Sequence, residues 1–285
     1  SGLASAYAAA KNGARVILAE DKPRFGGSLL TSDVNIGNQT GVEWTEKIIA
    51  ELKSMPNVTV KNRSQVFGYY DHNMLVMSER ISDHLPKTQK YLPKQRLWYI
   101  RANEVLISSG SIERPLVFGN NDTPGVMLSS AAKEYMKVYG VLVGKKPLIF
   151  TNNDSGYETA IEFKKNGVNP IILDTRSNPS SDIITEAKNL NIEIKFSYVV
   201  VAAKGYKKVK SADIAKISDD KKELFNIENI KCDCICVSGF WTPSIHLASQ
   251  SGNKSKFNEK IDACVPDTSK QQENTIGSAN GIFTL

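Results

Sequence analysis

The 285-residue sequence predicts an α/β fold built from two parallel β-α-β units, and three features predict it. "SGLASAYAAAKNGARVILAED" at the start reads as a helix, a glycine stop and a buried strand. "PLIFTNNDSGYETAIEFKKNGVNPIILD", from 147, reads as strand, turn, amphipathic helix and strand. Each frame ends its strand on an acidic residue, Glu20 and Asp174, so the two look like one weak duplication. Alternation of short apolar runs with helical periodicity is the signature of a parallel sheet with crossover helices.

The elements follow in order. Alanines that pack closely and Gly13 after the last turn give the first helix, and β-branched residues give the strand Arg15–Glu20. A second helix, Val42–Ser54, precedes a strand near Val58–Lys61. "VFGYYDHNMLVMSER" predicts a hairpin turning at Asp71, His72 and Asn73, and the Pro-punctuated residues 82–94 a loop. "QRLWYIRANEVLISSG" gives two strands, the second broken by Gly110, and "SSAAKEYMKVYG" a helix closed by Gly140. After the frame at 147–174 come a helix over 181–189, one strand over 191–203, a hairpin within 204–229 and a strand over 231–238. "GSANGIFTL" reads as a turn entering a helix. The sequence opens inside a helix without Met, which is read as a piece of a longer chain.

Composition is that of a globular protein, 41% hydrophobic and 23% charged. No apolar run approaches the ~18 residues of a membrane span, so no membrane partner is expected. The net charge of +6 is spread over scattered lysines, a solvated surface rather than a nucleic-acid stripe. Cys232, Cys234 and Cys236 lie in "KCDCICVSG", where alternation with Ile and Val marks a buried strand with thiols on one face rather than a metal site. Reduced thiols suit a cytoplasmic location. Glu113–Arg114 reads as an exposed ion pair, His72 as an exposed turn residue without a catalytic role, His84 as an uninformative loop residue, and His246 as a packing or capping residue, with a flavin-facing position as the alternative.

The first frame carries parts of a nucleotide site. In such a unit, glycines let the backbone approach a pyrophosphate, the helix N-terminus supplies unpaired N–H groups, and an acid at the next strand's end accepts from ribose hydroxyls. Gly2 fits the last glycine of the fingerprint, and Glu20, followed by Asp21, lies 18 residues on, near the ~20 expected. The first strand and earlier glycines are expected upstream of residue 1. "FGGSLL" adds Gly26, Gly27, Ser28 and Leu29; "EVLISSG" adds Gly110; "GSANG" adds Gly277, Asn280 and Gly281. Val66 and Trp241 complete the candidate set, Trp241 at the return crossing. Glu20 suits the ribose of NAD or of FAD. In the second frame, Asn152, Asn153 and Asp154 stand where phosphate-cradling glycines belong. Their side chains hinder backbone approach, while Asn and Asp tolerate left-handed backbone and cap helices. That frame is read as fold retained and dinucleotide site lost or repurposed.

"GYYDHN", "ERPLVF", "FTNNDSGYETA" and "VSGFWTPSIHL" resemble the alpha subunit of heterotetrameric sarcosine oxidases, and the resemblance runs nearly end to end. It implies the disulfide-reductase-like architecture, a Rossmann-like FAD/NAD(P)-binding domain, 1–140 plus 240–285, with a second Rossmann-like domain, 141–239, inserted. It implies oxidative demethylation of sarcosine to glycine, hydrogen peroxide and formaldehyde, the last captured by tetrahydrofolate in a region beyond residue 285. It also implies FAD in a beta subunit that handles the small-molecule amine, FMN at the alpha–beta interface, NAD in alpha, and gamma and delta partners. No catalytic residue is expected here. The alternatives are a subunit of a related amine or proline dehydrogenase, and a non-catalytic nucleotide-binding scaffold. A stand-alone disulfide reductase is disfavoured because no C-x(2–4)-C pair falls near 25–40.

Overall fold

A computed structural model describes residues 1–87 and 90–284. The chain forms two compact units, one of Ser1–Ile112 with Thr242–Leu285 and one of Glu113–Trp241. The division falls at 112/113 rather than at 140/141, so the helix closed by Gly140 belongs with the second unit.

In chain order the elements are α1 (Gly2–Lys11), β1 (Val16–Ala19), α2 (Gly41–Ser54), β2 (Val58–Lys61), β3 (Ser64–Tyr70), β4 (Met74–Arg80), β5 (Gln95–Arg101), β6 (Val105–Ile107) and β7 (Ser111–Glu113). They continue with β8 (Val126–Leu128), α3 (Ser129–Tyr139), β9 (Pro147–Thr151), α4 (Ser155–Lys165), β10 (Ile171–Asp174), α5 (Asp182–Asn189), β11 (Glu193–Phe196), β12 (Tyr198–Lys204), β13 (Ser211–Ile217), β14 (Leu224–Lys231) and β15 (Cys234–Ser238). Then follow β16 (Trp241–Pro243), α6 (His246–Gln250), β17 (Lys254–Asn258), β18 (Ala263–Thr268) and β19 (Glu273–Thr275). Short 3-10 turns occupy Gly27–Leu30 and Gly277–Asn280.

In the first unit β1 pairs in parallel with β2 and β6 with β19, while β3, β4 and β5 form an antiparallel sheet whose hairpin turns at Asp71–Asn73. α2 starts on a capping box in which Thr40 and Glu43 each accept from the other's backbone N–H. Ala6 and Ala10 of α1 and Ile48 and Leu52 of α2 bury a common core against Val16, Leu18, Val58 and Val60.

The second unit is a five-stranded parallel sheet in the order β8-β15-β9-β10-β11. Strand alternation divides its core. Ile149, Ile172, Cys234 and Cys236 face Ala132 of α3, Tyr157 and Phe163 of α4 and Ile184 of α5. Leu148, Phe150, Ile235 and Val237 face Val200 and Ile214 of the antiparallel sheet β12-β13-β14.

Several local expectations change. The strand expected over 191–203 breaks at Ser197, whose φ of 58° turns the chain from the parallel sheet into the antiparallel one. The strand expected over 231–238 starts only at Cys234, because Asp233 turns the chain and accepts from the Lys145 and Lys146 N–H groups at 2.8 Å each. Cys232 therefore packs in the opposite cluster from Cys234 and Cys236. All three thiols are buried and free. The 3-10 turn at 277 ends at Gly281, at φ 76°, and the helix expected to follow it would lie largely outside the given sequence. Glu113 is not an exposed ion-pair member: it is 3% exposed, and its Oε2 accepts the Ser130 N–H at 2.7 Å at the head of α3. Burial holds its carboxyl above the ordinary carboxylate range.

Candidate functional site

In the first unit, several sequence-predicted residues lie just past the ends of parallel strands. Glu20 follows β1, Gly110 lies three residues past β6, and Gly277 two past β19. α1 starts among them. A Cβ built on Gly2 would lie 2.4 Å from Ser108 Oγ, so only glycine lets the start of α1 sit this close to the segment leaving β6. A Cβ on Gly277 would meet Ser1 Oγ at 2.2 Å, and one on Gly110 lies 3.9 Å from Ser278 Oγ. Three chain segments thus meet at the N-terminus of a ten-residue helix whose first N–H groups carry its positive end.

Glu20 is fixed from both sides of its peptide. Its N–H donates to Lys61 O at 2.9 Å, and its carbonyl accepts from Ser64 N at 2.8 Å. The half-buried carboxyl accepts the Lys22 N–H at 3.1 Å. Partial burial, reinforced by the neighbouring Asp21 and opposed by that N–H, pushes it up to about 7. Gly26, at φ 129°, then reverses the chain in a conformation that L side chains rarely adopt. The turn Gly27–Leu30 buries Leu29 against the head of α2, where a Cβ on Gly41 would lie 3.1 Å from the leucine side chain. Gly27 and Ser28 stay exposed, and nothing lies within 4 Å of a Cβ built on Gly27.

Two predicted residues stand apart. Val66 packs with Tyr69, Leu75, Ile107 and Ala248 in an apolar cluster. Trp241 belongs to the second unit, where its indole N–H donates to Ser155 Oγ at 3.2 Å. Asn280 is exposed on the 3-10 turn and Gly281 follows it. His72, at φ 60°, is exposed on its hairpin, and His246 opens α6 with Nδ1 3.3 Å from Ser244 Oγ.

In the second unit, strand register sets three buried polar ends in a row: Thr151 of β9 lies opposite Ser238 of β15 and Asp174 of β10. This is where strand order reverses direction and where a doubly wound sheet opens its ligand crevice. Here the protein occupies it. Asn153, 8% exposed, donates from Nδ2 to Ser238 O at 3.0 Å and accepts the Ser155 N–H on Oδ1 at 2.9 Å. The Asn153 N–H donates to Thr151 Oγ1 at 3.1 Å. Asp154 stands at the N-cap of α4 without a side-chain cap bond, the capping side chain is that of Asn153, and residues 152–154 keep negative φ.

Asp174, at the ribose-acid position, is fully buried and already paired. It accepts from Tyr157 Oη at 2.7 Å, Arg176 Nε at 3.0 Å and Arg176 Nη2 at 2.8 Å. Arg176 Nη1 reaches Asp154 at 2.9 Å. Burial opposes the charge of Arg176, but its two carboxylate partners hold its pKa above the ordinary value; burial and Asp174 likewise raise that of Tyr157. The one legible signal for this clamp was an arginine two residues past the acidic strand end in "LDTR".

Among the described residues, no three His, Cys, Asp or Glu side chains converge as a metal would need, and no helix is long and apolar enough to cross a membrane.

Comparison with known proteins places these features. The chain is 36% identical over 281 residues to a sarcosine oxidase subunit alpha of Rhizobium meliloti (strain 1021), and 32% identical over 287 residues to one of Corynebacterium sp. (strain P-1). The chain resembles sarcosine oxidase alpha subunits along 98–99% of its length. It spans only 27–30% of the length of those relatives. No protein-family model matches. Among solved structures, the fold is similar to that of T. acidophilum thioredoxin reductase, with a TM-score of 0.73, 16% identity, and 99% of this chain and 88% of that one covered. It is also similar to L-proline dehydrogenase from P. horikoshii, with a TM-score of 0.67, 20% identity, and 98% and 48% covered. The Rossmann-like, disulfide-reductase-like fold expected from the sequence is thus found in solved proteins.

Proposed function

We propose that this chain is the nucleotide-holding part of the alpha subunit of a sarcosine-oxidase-type complex. The observation that carries the reading is the close approach of the segments at Gly110 and Gly277 to the start of α1 at Gly2, with Glu20 at the end of β1, in a chain similar end to end to sarcosine oxidase alpha subunits.

These residues fit a dinucleotide. The close approach at Gly2 clears the helix N-terminus for a pyrophosphate, and Gly27 leaves space for an extended ligand. The α1 N–H groups would hold the phosphates, Glu20 the ribose hydroxyls, and the turns at Gly26–Ser28 and Gly277–Gly281 the remaining length. The group is NAD or FAD, which when bound supplies hydride-transfer or structural capacity. With a carboxyl near 7, Glu20 accepts ribose hydroxyls best as pH rises and it ionises. The second unit holds no dinucleotide in this reading, because Asn153 fills its crevice and Arg176 takes its ribose acid.

By the same reading, sarcosine is oxidised on FAD in a beta subunit, FMN lies at the alpha–beta interface, and tetrahydrofolate is bound in the remainder of alpha. The complex also holds gamma and delta subunits and works in the cytoplasm with oxygen as acceptor. The test is sarcosine-dependent peroxide formation by the complete complex. Turnover of sarcosine supports the proposal; turnover of proline without sarcosine points to the dehydrogenase alternative. A colourless, nucleotide-free complex would leave only a scaffold.

A further inference from the structure

Beside the closed crevice, the second unit keeps an open cavity of about 690 Å³. One wall is the loop after β10, from Thr175 to Pro179; Ser197, past the end of β11, forms the floor; the turn from Ile217 to Lys221 forms the far wall. The cavity lies at the carboxyl ends of two parallel strands, where doubly wound sheets take ligands. Its size is that of a small-molecule site.

Arg176 decides what fits. Its Nε and Nη2 are hydrogen-bonded to Asp174 and its Nη1 is ion-paired with Asp154, so the two carboxylates fix its plane. Its guanidinium carbon lies 6.0 Å from the centre of the Tyr157 ring, and the side chain is still 30% exposed. Held in this plane, the partly exposed guanidinium has a flat face, and it keeps one further N–H on each of Nη1 and Nη2. Such a face stacks on planar aromatic rings, purines among them. Pro179 and Ile217 supply apolar edges, and the exposed Lys221 supplies a cation on the opposite wall.

The same surroundings limit the ligand's length. Asn153 closes the crevice that would take a pyrophosphate, and Asp154 puts a carboxylate on that side. Asp219 stands on the same wall as Lys221, so a second or third phosphate would meet a like charge, while a ribose hydroxyl would meet an acceptor. We propose that this cavity binds a purine nucleoside monophosphate, with the base stacked on Arg176 and the phosphate against Lys221. The second unit is then a nucleotide unit reduced to half a site.

The probe is AMP, measured by equilibrium dialysis against the complete protein with the first-unit site saturated by NAD. One AMP per chain is expected to remain bound under saturating NAD. Lys221→Ala should weaken AMP roughly tenfold while leaving adenosine unchanged. Arg176→Met should weaken AMP and adenosine alike, roughly tenfold or more. Because that change strips the buried Asp174 of its partner, Ser177→Trp, on an exposed wall position, serves as the second variant and should abolish binding without unfolding. The proposal is overturned by displacement of all AMP by NAD, by no binding at about 5 mM AMP, or by equal affinity in Lys221→Ala and Ser177→Trp.

Discussion

Asn153→Ala tests the reading of the second unit at its centre. The amide makes two jobs one: Oδ1 receives the first free N–H of α4, from Ser155, and Nδ2 ties the turn to Ser238 O on the neighbouring strand. Truncation removes both in a site 8% exposed. Ser238 O retains the Asn152 N–H at 3.3 Å, so the larger loss is on the helix side. Loss of an N-cap costs about 1 kcal/mol, and a buried donor left without an acceptor costs about 1–3 kcal/mol. Since the orphaned donor is the capped one, these overlap, and the expected destabilisation is roughly 2–3 kcal/mol. Urea unfolding followed by circular dichroism measures it as a lower midpoint at unchanged slope. Asn152→Ala, whose side chain is bonded only to the Asn153 amide among the contacts described, should cost well under ~1 kcal/mol. If the two variants are equally stable, Asn153 is not what holds the crevice shut.

Further outcomes follow from the same geometry. Replacing both Asn152 and Asp154 by glycine should lower stability without adding a bound dinucleotide, because the plug remains; a second dinucleotide per chain in the mass spectrum would contradict this. Arg176→Met should destabilise by about 3–5 kcal/mol by leaving Asp174 buried and unpaired, and adding Asp174→Asn should recover much of that loss. A double-mutant cycle in urea reads the coupling, and additive losses would refute the clamp. Glu20 is raised to about 7 in the folded state, so its contribution to stability is present below its ordinary value of 4.5 and is lost as pH rises through 7. Glu20→Gln should therefore flatten the fall of the unfolding midpoint between about pH 5 and 8. An unchanged pH profile would show that the carboxyl titrates normally.

The fold was legible wherever local chemistry and tertiary demand agreed. The helix and strand of the first frame, the complete second β-α-β frame, the Asp71–Asn73 hairpin and the helix ending at Gly140 carry strong turn and periodicity signals, and the structure has them. The exceptions are places where a residue without a signature bends the chain. Ser197 breaks a strand with no glycine or proline to announce it, and Asp233 makes its turn through bonds to residues 88 and 87 positions away. Glu113 looked like half of a surface pair because its real partner, the head of α3, lies 17 residues further along. Of the residues proposed for the first-unit site, Gly2 and Gly277 stand where space leaves no room for a side chain, and Gly26, Gly110 and Gly277 at positive φ. Trp241 is the last residue of the second unit, and its N–H goes to Ser155 of α4. The TNND turn showed that a glycine loop was missing, but only the structure shows Asn153 bonded to both Ser238 and Ser155 at the strand ends.

The most direct test of the central claim is the nucleotide content of the complete protein. Purified protein is denatured and the released nucleotides are counted by mass spectrometry, for the native sequence and for Glu20→Ala. The account predicts one adenine dinucleotide per chain from the first unit, lost or sharply reduced in Glu20→Ala with the fold intact by circular dichroism. A folded native protein that releases no dinucleotide and takes up none from millimolar NAD or FAD would contradict it.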